Sequence, residues 1–357
     1  MRIPNLFIGS LGVYVPPVVT VEWAVGHGLY PQEYVELHEL GGVAVAGDIP
    51  APEMALCAAE QAINRWGGKA TELDLLLYAS SWHQGPDGWL PHSYLQRHLA
   101  LGNVLSVEIR QGCNGMFSAF ELAASYLTAV PERTSALLVA ADNYGTPLID
   151  RWRSGPTWIC GDAGSAIILT KRDGFARLLS VCTVTVTEGE EYFRGTEALF
   201  PPSVTVGRSL DYTARFQQGS KQGSTMAAMN TVPERMTALM DQALTEADIK
   251  ATDLARVASP NFSREIVQES YLTLLGLPMS RSSWDFGRTI GHCGASDQVL
   301  SLEHFLATGE LEAGGHMMFV GMAPGCGLSC AVVQIITAPA WASRTVSSDP
   351  DHRTTHT

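Results

Sequence analysis

The order of predicted elements repeats in the two halves of the chain. In the first half, a turn of small residues at Cys113 leads into an apolar helix, a strand, and a Gly-rich turn that begins a further strand. In the second half, the same elements follow a turn of small residues at His292. Two copies of one α/β unit stack most simply as two mixed sheets around a central pair of helices. We therefore predict an α/β fold with two pseudo-dyad-related halves, 1–174 and 175–337, in a layered α-β-α-β-α arrangement.

The first of these turns carries a cysteine. Residues 104–109 are apolar and β-branched, which predicts a buried strand, and from Met116 the apolar residues take the spacing of a helix. Cys113 therefore lies near unpaired backbone N–H groups and the positive end of a helix dipole. Both favour a thiolate over a thiol, and both can bind a developing oxyanion. We predict a nucleophilic cysteine that carries an acyl group; the alternative is a buried, inert cysteine.

The second turn carries a histidine at the position that Cys113 holds in the first half. If the two helices point their N-terminal ends at one place, the Cys113 thiol and the His292 imidazole form a nucleophile and its base. Asp297 follows five residues later. It can orient the imidazole and stabilise its cationic form if His292 precedes the helix and the turn folds back. Asp285 is a rival partner for the imidazole. The alternative is that His292 is a core histidine and Asp297 a residue favoured at a helix start.

Composition and charge limit the classes of partner. The 36 acidic residues outnumber the 23 basic ones, for a net charge of −13, which disfavours nucleic acid and anionic membranes as main partners. The seven cysteines include no CxxC pair, which indicates reduced thiols in a cytoplasmic protein. No signal peptide and no membrane-spanning run is recognisable. The histidines have no metal-ligand spacing, so we expect no metal site. Residues 338–357 are polar and predict a disordered tail.

Several segments carry a resemblance to a known family. They are QGCNGMFSA at 111–119, GDAGSA at 161–166, IGHCGAS at 290–296 and GCGLSCAVV at 325–333, and their order spans nearly the whole chain. The chain resembles the ketoacyl synthase III group of the thiolase superfamily. The resemblance implies a thiolase fold, a homodimer, an acyl-cysteine intermediate, and a donor that is a thioester of coenzyme A or of an acyl carrier protein, with no other cofactor.

The resemblance also implies binding residues. In the family, the positions of Arg151, Trp152 and Arg153 contact coenzyme A, and an arginine beside a phosphate is physically sensible. The alternative for these residues is a solvated surface loop. Leu90 matches a loop that crosses into the partner subunit, where it either shapes the acyl pocket or simply packs. The backbone N–H groups of Cys113 and of Cys326, in the terminal Gly-rich turn, are expected to form an oxyanion hole.

Two departures from the family pattern decide the expected chemistry. Condensing members carry a His and an Asn that together stabilise the enolate left when a malonyl thioester loses carbon dioxide. In this chain Ser259 stands at the His position and His292 at the Asn position. A single histidine cannot reproduce that pair of donors, but it can deprotonate an incoming alcohol. We predict transfer of an acyl group from Cys113 to a hydroxyl, without decarboxylation.

The Cys-His-Asp combination resembles a divergent branch of ketosynthase-III-like enzymes from aromatic polyketide clusters, which includes malonyltransferases. This resemblance implies malonyl-coenzyme A as the donor and a hydroxyl of a polyketide or glycoside as the acceptor. Two alternatives stay open: a ketosynthase that condenses a starter acyl unit with malonyl, and a non-catalytic partner subunit of a ketosynthase complex. The weakly periodic region 187–223 is a candidate for a wide acceptor mouth.

Overall fold

A computed structural model describes residues 1–201 and 207–342. The strands are β1 (Phe7–Tyr14), β2 (Val18–Thr20), β3 (Gly42–Ala44), β4 (Leu75–Ala79), β5 (Leu105–Ile109), β6 (Ser135–Asp142), β7 (Ala163–Thr170), β8 (Ala176–Thr185), β9 (Leu254–Ala258), β10 (His316–Ala323) and β11 (Gly327–Ile335). The helices are α1 (Val21–Gly26), α2 (Glu33–His38), α3 (Ala51–Trp66), α4 (Pro91–His98), α5 (Gly115–Ala129), α6 (Glu190–Arg194), α7 (Tyr212–Gly219), α8 (Gly223–Asn230), α9 (Val232–Ala247), α10 (Arg264–Val267), α11 (Thr273–Leu275), α12 (Trp284–Ile290) and α13 (Asp297–Thr308).

Nine of the described strands form one mixed sheet in the order β5-β4-β6-β7-β1-β8-β11-β10-β9, and β2 pairs with β3 separately. In the first half, β1 pairs antiparallel with β7 and β7 with β6, and β6 then pairs parallel with β4. In the second half, β8 pairs antiparallel with β11 and β11 with β10, and β10 then pairs parallel with β9. The two halves are joined where Phe7 pairs with Arg177 and Ile8 with Ala176. The predicted pair of sheets is therefore linked edge to edge at this short contact.

Alternate residues along the strands face different helix layers, as the period of a β-strand requires. In β4, Leu77 packs into a central cluster with α5 and α13, whereas Tyr78 packs on the other face with α3. In β10, Met317 faces the same central cluster, whereas Met318 faces α9. The layers are thus α3, the first half of the sheet, α5 with α13, the second half of the sheet, and α9. The predicted layered α/β fold is confirmed.

The two central helices begin immediately after short 3₁₀ turns. Gly112–Asn114 precedes α5, and Gly294–Ser296 precedes α13. A side chain added at Gly115 would put its Cβ 2.8 Å from the Cβ of Ala79 and 3.6 Å from that of Ala295. Glycine at the start of α5 therefore allows the two turns to approach each other closely.

The prediction that residues 104–109 form a buried strand is wrong in its burial. The strand β5 lies at the edge of the sheet, and Leu105 and Val107 are 51% and 38% exposed. An apolar run has the same pattern in a buried strand as in an edge strand that leaves one side of the sheet uncovered.

The region 187–223, which is weakly periodic in sequence, contains short helices where the structure describes it. In α6 and α7, the rings of Tyr192 and Phe216 stack with their centroids 4.3 Å apart. Of the predicted tail 338–357, residues 343–357 lie outside the described residues. Trp341, which precedes them, packs beneath the Arg65 guanidinium, 4.1 Å from its ring centroid. No helix within 1–201 or 207–342 is long and apolar enough to cross a membrane.

Candidate active site

The turn that carries Cys113 is anchored to the hairpin between β10 and β11. Gly112 has a φ of +52°, and a Cβ there would lie 2.9 Å from Cδ of Pro324. The next residue after Cys113 is the buried Asn114, whose Nδ2 donates to the carbonyl of Gly327 and to the hydroxyl of Ser329, each at 3.0 Å. The two halves of the chain therefore fix the cysteine between them.

The backbone of His292 is held by a short parallel bridge to the segment before β7. Its N–H donates to the carbonyl of Ile159 at 2.8 Å, and its carbonyl accepts the N–H of Gly161 at 2.9 Å. A Cβ at Gly161 would lie 2.2 Å from the carbonyl oxygen of Ile290, so glycine is required for this contact. The bridge sets the imidazole at the N-terminal end of α13.

Cys113, His292 and Asp297 lie in one line of contacts. The Sγ of Cys113 is 2.8 Å from Nε2 of His292, and Nδ1 of His292 is 2.5 Å from Oδ2 of Asp297. The turn Gly294–Ser296 folds back between the histidine and the aspartate, so a separation of five residues brings their side chains together. Asp285, the rival partner, is exposed on α12 instead.

Asp297 accepts more hydrogen bonds than the one from the imidazole. Its Oδ1 accepts the backbone N–H of Cys293 at 2.7 Å and the Nδ2 of Asn261 at 3.1 Å, and its Oδ2 accepts the backbone N–H of Asn261 at 2.9 Å. The side chain is completely buried. The donors on both oxygens fix the carboxylate plane, and with it the orientation of the imidazole of His292.

Asn261 is the residue of this arrangement that sequence reasoning missed. Its Nδ2 also donates to the carbonyl of Gly291 at 2.8 Å, so it ties the turn before His292 to the carboxylate of Asp297. Asn261 stands two residues after Ser259, in the segment where the sequence departs from the pattern of the family that it resembles. A polar residue in that apolar segment was the available signal.

Replacing Asn261 by alanine should weaken catalysis without removing the nucleophile. The substitution deletes one hydrogen bond to the Asp297 carboxylate and leaves the Gly291 carbonyl with one donor fewer. The loss of one charge-assisted bond corresponds to a fall of about 10-fold to 100-fold in the rate of the predicted acyl transfer. A single-turnover measurement of acyl transfer from Cys113 gives this rate. An unchanged rate in a correctly folded variant would show that the backbone donors alone orient the carboxylate.

The charge on His292 is set by its two partners. Burial alone would lower its pKa, but the Cys113 thiolate and the Asp297 carboxylate outweigh burial and raise the pKa well above its ordinary value. Two aromatic rings pack edge-on against the imidazole, with the Phe262 centroid at 5.0 Å and that of Trp158 at 6.2 Å. A protonated imidazole 2.8 Å from a cysteine sulfur is the arrangement that, in general, activates a cysteine nucleophile.

Cys113 and His292 open into a cavity of about 240 Å³. Its walls are largely aromatic, and include Trp82, Tyr144, Trp158, Tyr212, Phe216 and Phe262. A second cavity of about 620 Å³ adjoins it and shares Trp158, Phe216, Phe262 and Met322 as lining residues. Helix α7, from the region 187–223, contributes Tyr212 and Phe216. The site therefore consists of two adjoining cavities that share a largely aromatic wall.

The structure does not bring the other predicted binding residues to this cavity. Arg151 forms a bidentate ion pair with the buried Asp162, at 3.1 and 3.0 Å, so its guanidinium is occupied inside the protein. Trp152 is buried in a separate apolar cluster. Arg153 is exposed and donates to the carbonyl of Gly28 at 2.6 Å. Leu90 is half exposed just before α4.

The remaining two predicted residues are buried. Ser259 is 1% exposed, and its hydroxyl has no hydrogen-bond partner among the residues that the structure describes. It does not line the cavity of Cys113 and His292. Cys326 has a φ of +57° in the turn between β10 and β11, and its side chain points into the protein, with Sγ 3.8 Å from Sδ of Met229. An oxyanion contact from Cys326 would therefore come from its backbone.

A second buried carboxyl group lies beside the cavity, at the end of β6. The Oδ1 of Asp142 accepts the backbone N–H groups of Ser81 and Trp82 at 2.8 and 2.7 Å, whereas its Oδ2 has no partner within the described part of the chain. Burial raises the pKa of Asp142 to about 7, although these hydrogen bonds and the charge of His292 oppose the rise.

Replacing Asp142 by asparagine should change how stability depends on pH. Because its folded-state pKa is raised, the carboxyl group stabilises the folded protein fully below its unfolded pKa of about 4. That contribution is lost as the pH rises through about 7. Asparagine keeps the acceptor for both backbone N–H groups but does not titrate. Urea unfolding should show that wild type loses roughly 2 kcal/mol relative to the variant between pH values of about 5 and 8. Parallel pH curves for the two proteins would contradict this.

The fold and the site define a class of protein. The chain matches the family model for 3-oxoacyl-[acyl-carrier-protein] synthase III over residues 107–186, and the model for the C-terminal part of the same synthase over 244–335. The chain belongs to the ketoacyl synthase III-like family of the thiolase superfamily. A particular solved structure, the acyltransferase ChlB3, is 53% identical, with a TM-score of 0.91 over 95% of this chain and 100% of that chain.

More distant relatives carry the synthase name. The β-ketoacyl-[acyl-carrier-protein] synthase III of Clostridium perfringens (strain SM101) is 21% identical over 292 residues, which is 79% of this chain and 84% of the relative. Synthase III 2 of Lactiplantibacillus plantarum is 23% identical over 81% of this chain and 86% of the relative. The solved 3-oxoacyl synthase III of Aquifex aeolicus is 17% identical, with a TM-score of 0.74 over 92% of this chain and 99% of that chain. At this identity the likeness supports the fold alone.

Proposed function

We propose that the protein is an acyltransferase that moves an acyl group from a thioester, through acyl-Cys113, to a hydroxyl group, and so forms an ester without loss of carbon dioxide. The observation that carries the proposal is the line of contacts from Cys113 through His292 to Asp297, at 2.8 and 2.5 Å. The likeness to ChlB3, which is described as an acyltransferase, supports it.

The first half of the reaction uses the thiolate–imidazolium pair. The Cys113 thiolate attacks the carbonyl carbon of the donor thioester, and the carbonyl electrons move to oxygen. When the tetrahedral oxyanion collapses, the bond from carbon to the donor sulfur breaks, and His292 gives its proton to the departing thiolate. The products are acyl-Cys113, a neutral imidazole, and the free thiol of coenzyme A or of a carrier protein.

The second half of the reaction uses the neutral imidazole as a base. His292 takes the proton from the acceptor hydroxyl while its oxygen attacks the acyl-Cys113 carbonyl. Collapse of the second tetrahedral oxyanion breaks the bond from carbon to Sγ and releases the ester. The thiolate–imidazolium pair is then restored, so no net proton is gained or lost. Asp297 keeps the same Nδ1 hydrogen bond in both halves.

The surroundings of the pair favour transfer over condensation. A condensing site needs donors for the enolate, and one of them would come from the position of Ser259. That hydroxyl is buried outside the cavity that contains Cys113 and His292. Nε2 of His292 already contacts Sγ of Cys113, which leaves it suited to moving protons at the reacting carbonyl.

The oxyanion of each tetrahedral intermediate needs hydrogen-bond donors. We propose the backbone N–H groups of Cys113 and Cys326 for this role. The close packing of Gly112 on Pro324 supports the pairing, because it holds the two turns together. The positive φ values of Gly325 and Cys326, +85° and +57°, turn the backbone sharply at this point.

For the substrates, we propose malonyl-coenzyme A, or malonyl on an acyl carrier protein, as the donor and a hydroxylated polyketide or glycoside as the acceptor. The two adjoining cavities, with aromatic walls, support two substrates of which at least one is apolar. Aromatic side chains offer stacking surfaces to the rings of such an acceptor.

We propose a cytoplasmic homodimer. Seven free cysteines support a reducing compartment. The apolar residues on the edge strand β5, Leu105 and Val107, and the nearby Trp89 and Leu90 are exposed, and an exposed apolar edge favours pairing with a second copy. Light scattering at twice the chain mass of 38.4 kDa would support the dimer.

The proposed function is tested by the mass of the enzyme after exposure to malonyl-coenzyme A. A malonyl adduct on Cys113 that keeps its carbon dioxide, and that transfers to an added alcohol as an ester, supports the proposal. Rapid conversion of the adduct to acetyl, together with a β-keto product from malonyl-carrier protein, would overturn it in favour of condensation. Absence of any adduct with malonyl, acetyl or longer acyl thioesters would overturn the nucleophile itself.

A further inference from the structure

Among the residues that the structure describes, the cavity of Cys113 and His292 is lined by one cationic side chain besides the histidine, and that side chain forms no ion pair. Arg110 follows the end of β5, three residues before Cys113, and lines the cavity. It also lines a neighbouring surface cleft of about 320 Å³. Within the described residues, Arg110 makes no side-chain hydrogen bond, no ion pair and no contact over an aromatic ring, whereas Arg151 and Arg215 are both bound to carboxylates.

The carboxylates of the outer cleft, which Arg110 also lines, form no ion pair with Arg110 among the described residues. No aspartate or glutamate among the described residues lines the cavity of Cys113 and His292. Glu108 and Asp87 line the outer cleft, and Glu108 accepts the hydroxyl of Ser80 at 2.6 Å. Asp142 is buried behind the cavity wall and hydrogen-bonded to backbone N–H groups. The guanidinium is therefore available to an anion that enters the cavity.

A malonyl donor would bring such an anion to this place. Its free carboxylate lies two bonds beyond the thioester carbonyl that Cys113 attacks. In a cavity with aromatic walls, a carboxylate is costly unless it is paired and hydrogen-bonded. A guanidinium meets a carboxylate with two parallel N–H donors, which a lysine cannot reproduce.

We propose that Arg110 binds the free carboxylate of a malonyl-type acyl donor and so selects it over uncharged acyl groups. The inference rests on the proposed function, since it requires that acyl-Cys113 forms. It also bears on the fate of the acyl group. Loss of carbon dioxide converts the carboxylate to a neutral product, and an ion pair stabilises the carboxylate before that step. The same contact therefore selects a malonyl-type donor over uncharged acyl groups and disfavours its loss of carbon dioxide.

The test compares wild type with Arg110→Gln and Arg110→Lys in the rate of acyl-Cys113 formation, followed by intact mass. With malonyl-coenzyme A, the glutamine variant should be slower by about 10-fold to 100-fold, the cost of one charge-assisted contact. With acetyl-coenzyme A, its rate should stay within about threefold of wild type, because no such contact is lost. The lysine variant should recover part of the malonyl rate. Arg172→Gln, which removes a surface ion pair with Glu72, is the matched control and should change neither rate.

Thioesters of N-acetylcysteamine separate the carboxylate from the phosphates of coenzyme A, because they carry none. With malonyl-N-acetylcysteamine, Arg110→Gln should show the same selective loss. Equal loss for malonyl- and acetyl-coenzyme A, with no loss for either N-acetylcysteamine thioester, would overturn it and assign Arg110 to a phosphate. Unchanged malonyl rates in both variants, with a malonyl adduct on wild-type Cys113, would overturn this inference and leave the proposed function standing. No adduct on wild type with any donor would overturn both.

Discussion

Replacing Cys113 by alanine should abolish acyl transfer, with a fall of about 10⁴-fold or more in kcat. In the proposed mechanism the sulfur of Cys113 takes the acyl group, and its Sγ is the described side-chain atom that contacts Nε2 of His292, at 2.8 Å. Alanine fits the same space, and the turn keeps its anchors through Asn114 to Gly327 and Ser329. The loss would therefore come from chemistry and not from unfolding. Intact mass should show no adduct, and thermal unfolding should match wild type.

The matched control for Cys113 is Cys57, the most exposed of the seven free cysteines. Partial burial and the carboxylates of Glu60 and Glu53 raise the pKa of Cys57, which keeps it as a thiol. Limited alkylation near neutral pH should thus label Cys113 before Cys57, although Cys57 is the more accessible. Cys57→Ala should leave transfer unchanged. Preferential labelling of Cys57, or full activity in Cys113→Ala, would contradict the assignment of the nucleophile.

The layered fold was predictable because periodicity and order carry it. The strand and helix lengths follow from alternating and helical spacing, and the repeat of the two halves dictates which helices lie at the centre. The burial of β5 was not predictable, since an apolar run does not reveal whether a neighbouring strand covers it. The two halves are linked by the pairing of Phe7 and Ile8 with β8. No local sequence pattern shows which strand edges pair with each other, so this linkage was not predictable.

The pairing of Cys113 with His292 was predictable for the same reason as the fold. Both residues hold equivalent positions in a repeated unit, so symmetry brings them together across 179 residues of sequence. The coenzyme contacts were predicted from family position alone and stay predictions. Arg151 is drawn inward by the buried carboxylate of Asp162, a partner eleven residues away that sequence spacing does not single out.

Asn261 shows the limit of reasoning from single motifs. Its role depends on the carboxylate of Asp297, 36 residues later, and on the carbonyl of Gly291, 30 residues later. Neither spacing belongs to a helix or a strand. The sequence drew attention to the neighbouring Ser259 because it departs from the family pattern there. The contacts of Asn261, two residues further on, depend on the three-dimensional site and are not visible in that pattern.

Replacing Asp297 by asparagine should lower the transfer rate by about 10³-fold to 10⁴-fold. The carboxylate accepts four N–H donors, from His292, Cys293 and twice from Asn261. Asparagine has one acceptor oxygen, so its NH₂ group must face N–H donors on the other side. The imidazole of His292 then either loses its hydrogen bond at Nδ1 or is held in the other tautomer. The raised pKa of His292 depends in part on the Asp297 charge, and should fall in the variant.

Asp285→Asn is the matched control for Asp297→Asn, because Asp285 is the other aspartate near His292 in sequence and lies exposed on α12. Single-turnover transfer from pre-formed acyl-Cys113 isolates the step in which His292 acts as base. Titration of His292 by NMR measures the pKa of its imidazole. This pKa should fall when the charge of Asp297 is removed, whereas a merely structural effect of the substitution would not change it. The exposed substitution should leave both the rate and the titration at wild-type values, while Asp297→Asn changes both. A variant at 297 with a normal rate, or a His292 pKa that does not move, would mean that the carboxylate supports the fold of this turn without serving the histidine.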